Sequence, residues 1–321
     1  MATVTRTIKP AGGGDYTTLA AAYAARKRNL VTAQEIEVWE CYAGDVGALP
    51  SSLTGFTTSS SYYLKITAAA EARHAGVWDV AKAHSIGAGG AMATDGTARH
   101  IKLCCMLIRF TSGSDAMIPY SSNNPADFTV DECVFDFTGT TRHGIYGPAN
   151  VHNVISYNYA GSGYCYNMSA PFTGCELFNI TAIGTGNGFR AASSTTLAKN
   201  CVAHGFTDGF VGTFAAGSDY NISSVASDAP GGNSKQGTVQ FLDATNKNYH
   251  LSAADSAARG AGTNLTASGI TTDIDGTTRP AAGAWDAGAD HYVAAATSKD
   301  PWGKKPWGRY SWNRARWKAA A

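Results

Sequence analysis

Six segments between Lys102 and Ser224 superpose without gaps: Lys102-Leu103-Cys104-Cys105-Met106-Leu107, Asp131-Glu132-Cys133-Val134-Phe135, His152-Asn153-Val154-Ile155-Ser156, Thr173-Gly174-Cys175-Glu176-Leu177, Lys199-Asn200-Cys201-Val202-Ala203 and Tyr220-Asn221-Ile222-Ser223-Ser224. Their anchors at 105, 133, 154, 175, 201 and 222 advance by 28, 21, 21, 26 and 21 residues. A recurring period of this length marks stacked structural units. A second motif falls between anchors: His143-Gly144-Ile145-Tyr146, Ser162-Gly163-Tyr164-Cys165, Asn187-Gly188-Phe189-Arg190 and Asp208-Gly209-Phe210-Val211. Each unit therefore carries two short strands and flexible corners.

The anchor column reads Cys105, Cys133, Val154, Cys175, Cys201, Ile222, and the column two residues on reads Leu107, Phe135, Ser156, Leu177, Ala203, Ser224. Alternation with a period of two sets both columns on one strand face, expected to be the inner one. Stacked strands bring like residues to about 4.8 Å, so Cys serves here as a small hydrophobe in a narrow interior. Asn153, Asn200 and Asn221 each precede an anchor. Asn tolerates a left-handed backbone and bonds to neighbouring turns, so an Asn ladder along one corner is expected.

On these repeats the chain resembles the right-handed parallel β-helix, the pectate-lyase-like superfamily, over about 290 residues. The fold class this implies is all-β: a solenoid with an N-terminal capping helix and an extended C-terminal arm. Gly12-Gly13-Gly14-Asp15-Tyr16-Thr17-Thr18-Leu19 and the Ala-rich stretch to Arg28 read as that helix, with Asp15 or Thr17 as N-cap, and Glu35 to Tyr42 as the first regular strand. Asp273-Ile274-Asp275-Gly276-Thr277-Thr278-Arg279-Pro280 and Trp285-Asp286-Ala287-Gly288-Ala289-Asp290 look like the closing segment of phage and bacterial β-helix proteins. The expected organisation is 1–45 N-terminal strand and capping helix, 46–235 β-helix coils, 236–296 closing coils and C-terminal cap, and 297–321 docking arm.

Composition agrees. Charged residues are 15% of the chain and hydrophobic ones 44%, and its 36 glycines are about 11% against the usual ~7%. Coiled coil, helical bundle, collagen and simple disorder are excluded. No run of 18 apolar residues occurs and the start lacks a basic-then-apolar leader, so neither a membrane span nor an ordinary signal peptide is expected. Seven cysteines without a CxxC pair read as buried thiols of a protein made in reducing cytoplasm.

The last 25 residues differ. Of 25 basic and 24 acidic residues, seven and one lie in 297–321, leaving 18 and 23 in the body, so an arm of net +6 follows a body of net −5. Trp302, Trp307, Trp312 and Trp317 recur every five residues, a spacing that fits neither helix nor strand, and Pro301 and Pro306 break both. With Arg309, Arg314 and Arg316 these tryptophans form the candidate partner-binding set, because Trp and Arg dominate binding hot spots. Folding back on the body and nucleic-acid binding stay open as alternatives, the latter disfavoured; membrane contact is not expected, since no amphipathic helix is evident.

The resemblance leaves activity open, since such folds host lyases, glycoside hydrolases, epimerases, adhesins and inert structural parts. In this alignment no two carboxylates stack as sugar cleavage requires. Glu176 falls beside Ile155 and Val202, Asp136 beside Ile108 and Tyr157, and Glu132 beside Cys104 and Asn153. The weak catalytic candidates are Asp131 and, one coil on, His152, with Lys199 two coils further along the column. Arg142, His143, Arg190, His204 and Asp208 read as turn or surface residues. No metal or cofactor is expected. The reading is a non-enzymatic virion component of a tailed bacteriophage, a capsid decoration or head or tail accessory protein, made in the host cytoplasm without a signal peptide. Its partners are other capsid or tail proteins, with a host surface glycan and a second copy of the chain left open. The alternative is a polysaccharide-binding or polysaccharide-cleaving tailspike or lyase.

Overall fold

The computed structural model describes residues 2–90, 92, 98–117, 127–168, 174–192 and 194–294. The chain is mostly β, 41% strand and 7% helix. Its strands build a 15-stranded and a 5-stranded sheet, and among the described residues the one antiparallel pair of strands is Phe241–Asp243 with Asn248–Leu251. Parallel neighbours need a crossover. Here the crossover is another strand, an arrangement compatible with a parallel β-helix.

One strand shows how the repeat is built. Asn150–Tyr159 bends at Asn153, whose φ is 50°. Before the bend it pairs Val151 with Val130 and Leu177; after it, Ile155 pairs with Val134 and Thr181. Tyr164–Met168 then joins the five-stranded sheet, setting Tyr166 beside Ile145 and Phe189. The same bend recurs in register at Cys105, Glu132, Asn153, Asn179, Asn200 and Tyr220, all with φ between 49° and 60°. The left-handed region is costly for most side chains, and Asn is among the few that visit it readily. Asn179 Nδ2 donates to Asn153 Oδ1 at 3.1 Å and Asn200 Nδ2 to Asn179 Oδ1 at 2.9 Å, so the amide ladder exists.

Its membership corrects the sequence reading. Asn179 belongs to it, whereas Asn221 follows the corner residue Tyr220 and instead accepts from Cys201 N. The cause is a register slip. The inner column runs Cys133, Val154, Ile180, Cys201, with Cys133 opposite Met106 and Cys201 opposite Asn221 by continuation of the observed pairs. Cys175 lies five residues from the expected place, beside Ala149 and Thr196, and Cys105 and Ile222 are each one residue off. Cys133, Val154, Cys175, Ile180 and Cys201 are nonetheless all fully buried. In the second motif Gly188 faces Gly209 as aligned, but Ile145 pairs with Tyr166 rather than Tyr164.

The interior is a stack of aromatic and small side chains. Phe135 and Phe137 stack at 5.6 Å, Tyr166 and Phe189 at 5.0 Å, and Phe189 and Phe210 at 4.9 Å. At the start, Ala2–Ile8 already pairs with Glu35–Cys41, so a strand precedes the expected first one. The helix is Leu19–Arg26 and its N-cap is Thr18, which accepts from Ala21 N. Asp15 turns back instead to bond Thr7 through both its amide and hydroxyl.

Residues after Gln236 add no strand to the two large sheets among the described residues. They lie along the outer face of the long sheet. Leu107, Val134, Ile155 and Tyr157 pack against Tyr249, Ile274 and Ala289, while Val202 and Ile222 pack against Val239, Leu251, Ala258 and Ala287. Both faces of that part of the sheet are thereby removed from water.

Candidate functional site

Before the corner the long sheet keeps an open outer face. Alternation turns Leu64, Ile66, Ile101, Leu103, Phe128, Val130 and Val151 inward. Outward it presents two columns. One is Lys65, Lys102, Thr129, Asn150 and Glu176; the other is Thr67, Cys104, Asp131, His152, Phe178 and Lys199. A groove at its near end is lined by Ser60, Tyr63, His100, Lys102, Asp127, Thr129 and Asn150. Lys102 Nζ sits 4.2 Å from the centre of the Tyr63 ring, and His100 Nδ1 is 3.4 Å from Asp127 Oδ1. At the far end Phe178 is covered by Leu265, Ile270 and Trp285.

The structure sets Asp131 and His152 side by side on paired strands, and Lys199 two strands beyond His152 with Phe178 between. His152 stacks on Phe178 at 5.3 Å with the rings 11° apart. Its Nε2 lies 3.4 Å from Glu176 Oε2, an ion-pair distance without an aligned hydrogen bond. Burial raises the Asp131 carboxyl above the usual range, against the pull of His152 and of the Asn153 amide that donates to it. The cluster therefore sets a carboxyl whose proton affinity burial raises, an imidazole and a more exposed carboxyl next to one another on one face, the residue types that general acid-base chemistry uses. Glu176 escaped the sequence reading because the slipped register put Ile155 and Val202 beside it. Its true strand neighbours are Asn150, by continuation, and Leu197.

At the adjoining corner, Arg73 Nη1 is 2.9 Å from Glu132 Oε2, and Cys105 Sγ lies 3.3 Å from the same oxygen and 2.7 Å from Cys104 Sγ. Thr272 Oγ1 donates to Glu132 Oε1 at 2.6 Å. The Cys105 thiol is pushed up by its contact with Cys104 and then by burial.

Other polar groups fall elsewhere. His143 is not a surface residue: it is buried, stacks between Tyr146 and Tyr164, and burial lowers its pKa. His204 meets Phe241 edge-on, and Arg190 covers Tyr164. Trp302, Trp307, Arg309, Trp312, Arg314, Arg316 and Trp317 lie outside the described residues. No protein-family model matches the chain, and no curated protein matches it.

Proposed function

We propose that the sheets are the faces of a right-handed parallel β-helix, and that the chain is a non-enzymatic structural component of a tailed-bacteriophage particle. In this reading it is a capsid decoration or a head or tail accessory protein that docks through residues 297–321. The observation that carries it is the separation of charge and tryptophan. A +6 segment with four evenly spaced Trp follows a −5 body, and such a segment suits an acidic protein surface. Deleting 297–321 is expected to leave the circular dichroism spectrum and melting profile unchanged and to abolish incorporation into particles. A truncated chain that melts much earlier yet still assembles would make the arm an internal cap.

A second reading, a surface that binds or cleaves polysaccharide, is favoured by one arrangement: His152 beside both Asp131 and Glu176 on the open face. It predicts release of reducing ends or unsaturated uronates from a polysaccharide panel, lost in Asp131→Asn. The structural reading expects no turnover from either protein.

A further inference from the structure

We propose that His250, Asp275 and Asp290 form a binding site for a zinc-class divalent cation. One donor atom from each lies within 4.8 Å of the other two. Donors 2.0–2.2 Å from a shared tetrahedral ion stand roughly 3.3 Å apart, so the cluster must draw in to form a first coordination shell. The three residues belong to different parts of the C-terminal segment. His250 lies on the strand Asn248–Leu251, Asp275 in the turn after Asp273, and Asp290 beyond Trp285.

The histidine is already set up as a ligand. Asn248 Oδ1 accepts from the backbone N–H of His250 at 3.2 Å, which identifies that atom as oxygen, and it lies 2.5 Å from His250 Nδ1. Nδ1 must therefore carry hydrogen. Nε2 is left facing Asp275 Oδ2 at 3.0 Å. A bare nitrogen lone pair against a carboxylate is repulsive, so at this hydrogen-bond distance a proton bridges them, in the place a metal ion would take once the two donors part slightly. An imidazole whose outer N–H is fixed by an oxygen acceptor is the usual state of a metal-bound histidine.

The carboxylates make the same point independently. Asp290 is 5% exposed; one oxygen accepts from Leu251 N at 2.7 Å, and the other accepts no hydrogen bond from the described residues. Asp275 Oδ1 is buried without a partner. A buried acceptor of this kind costs free energy unless a donor or cation meets it. Asp273 is not a spare ligand, since its oxygens accept from the amides of Asp275, Thr277 and His291. Arg279, a buried cation nearby, spends its donors on the carbonyls of Thr272, Asp286, Gly288 and Ala289. Gly76 forms the opposite wall, where a Cβ would come within 2.5 Å of His250 Nε2 and 2.8 Å of Asp275 Oδ1. The cleft beyond, bordered by His291 and Tyr292, leaves room for water to complete the shell. A mixed nitrogen and carboxylate set suits zinc and its transition-metal neighbours better than calcium, which takes six to eight oxygens.

The test uses the full chain without a polyhistidine tag, stripped with chelator and titrated with zinc chloride by calorimetry, with the bound metal counted by mass spectrometry. One zinc per chain is expected, its affinity lowered at least tenfold by His250→Gln and by Asp275→Asn and unchanged in the double variant Cys104→Ser/Cys105→Ser. Cobalt(II) provides a second readout. Its visible bands should appear without sulfur-to-metal charge transfer and should vanish in Asp275→Asn, whose circular dichroism checks that it folds. Absence of stoichiometric zinc, affinity in both ligand variants unchanged from the parent, loss confined to the cysteine variant, or calcium binding as tightly as zinc would each overturn the assignment.

Discussion

Replacing Asn179 by Ala tests the corner ladder directly. The residue is fully buried, holds φ at 52°, donates to Asn153 Oδ1 and accepts from Asn200 Nδ2. Removing the amide forfeits two hydrogen bonds, about 2 kcal/mol together, and leaves Asn153 Oδ1 buried without its donor. Holding Ala in the left-handed region adds about 1 kcal/mol. Asn179→Ala should therefore lose about 3 kcal/mol, and Asn179→Gly, which keeps the backbone at ease but lacks the amide, about 2 kcal/mol. Urea denaturation followed by circular dichroism and Trp fluorescence gives both values and their difference. If Asn179→Ala stays within about 0.5 kcal/mol of the parent, the ladder carries no stability. If Gly is no better than Ala, the corner is not left-handed.

Cys201→Arg should yield no folded protein, because the charge would sit buried beside Leu177 O with no partner, while Cys201→Ala should cost only about 1 kcal/mol. Acid should weaken the fold through His74, which is buried, donates from Nε2 to Glu132 O, accepts from Gly76 N at Nδ1, and has its pKa lowered from 6.5 to about 4 by burial. The unfolded chain takes up the proton first, so stability is undiminished above about pH 6.5 and falls by ~3 kcal/mol as the pH descends toward 4. Asp131, Asp273 and Asp290, whose carboxyls are raised, work in the opposite sense. The His74 share is the part of the acid slope in a pH series of urea midpoints that disappears in His74→Gln, and an unchanged slope would refute it.

The period, the parallel pairing and the Asp131–His152 neighbourhood were legible because they depend on local alternation and one unbroken 21-residue step. The placement of Cys175 was not. The extra residues between Val154 and Cys201 can be put on either side of Cys175, and apolar pattern cannot choose, since Cys175 and Ile180 are equally buried. The better guide was the corner: aligning Asn179 with Asn153 and Asn200 gives the true register and with it the approach of Glu176 to His152. The covered outer face had a quieter signal. Leu107, Val134, Ile155, Val202 and Ile222 alternate with an inner column that is also apolar, and a sheet apolar on both faces must be covered on both. Which segment covers it depends on contacts such as Thr272 with Glu132, 140 residues apart, which no local pattern encodes.

The corner ladder also seats that covering segment, so the two cannot be specified separately. Asn200 shows the coupling in one side chain: Nδ2 donates both to Asn179 Oδ1 and to Thr263 O at 2.8 Å, and Oδ1 accepts from Thr263 N at 2.8 Å. Glu132, at the same corner three rungs earlier, holds Thr272, while Arg73, paired with Glu132, reaches Ile274 O at 3.2 Å. A slip of the stack by one residue would turn these side chains away from the C-terminal segment as well as from one another. The segment thus acts as a register check, rewarding one alignment of the strands with hydrogen bonds that every other alignment forfeits. Hydrogen exchange should show it. Asn179→Ala, which removes no hydrogen bond to the segment among the described residues, should still speed exchange at the Thr263 amide, because Asn200 loses the acceptor that fixes its orientation. Unchanged protection at Thr263 in that variant would mean that the stack and its cover are held independently.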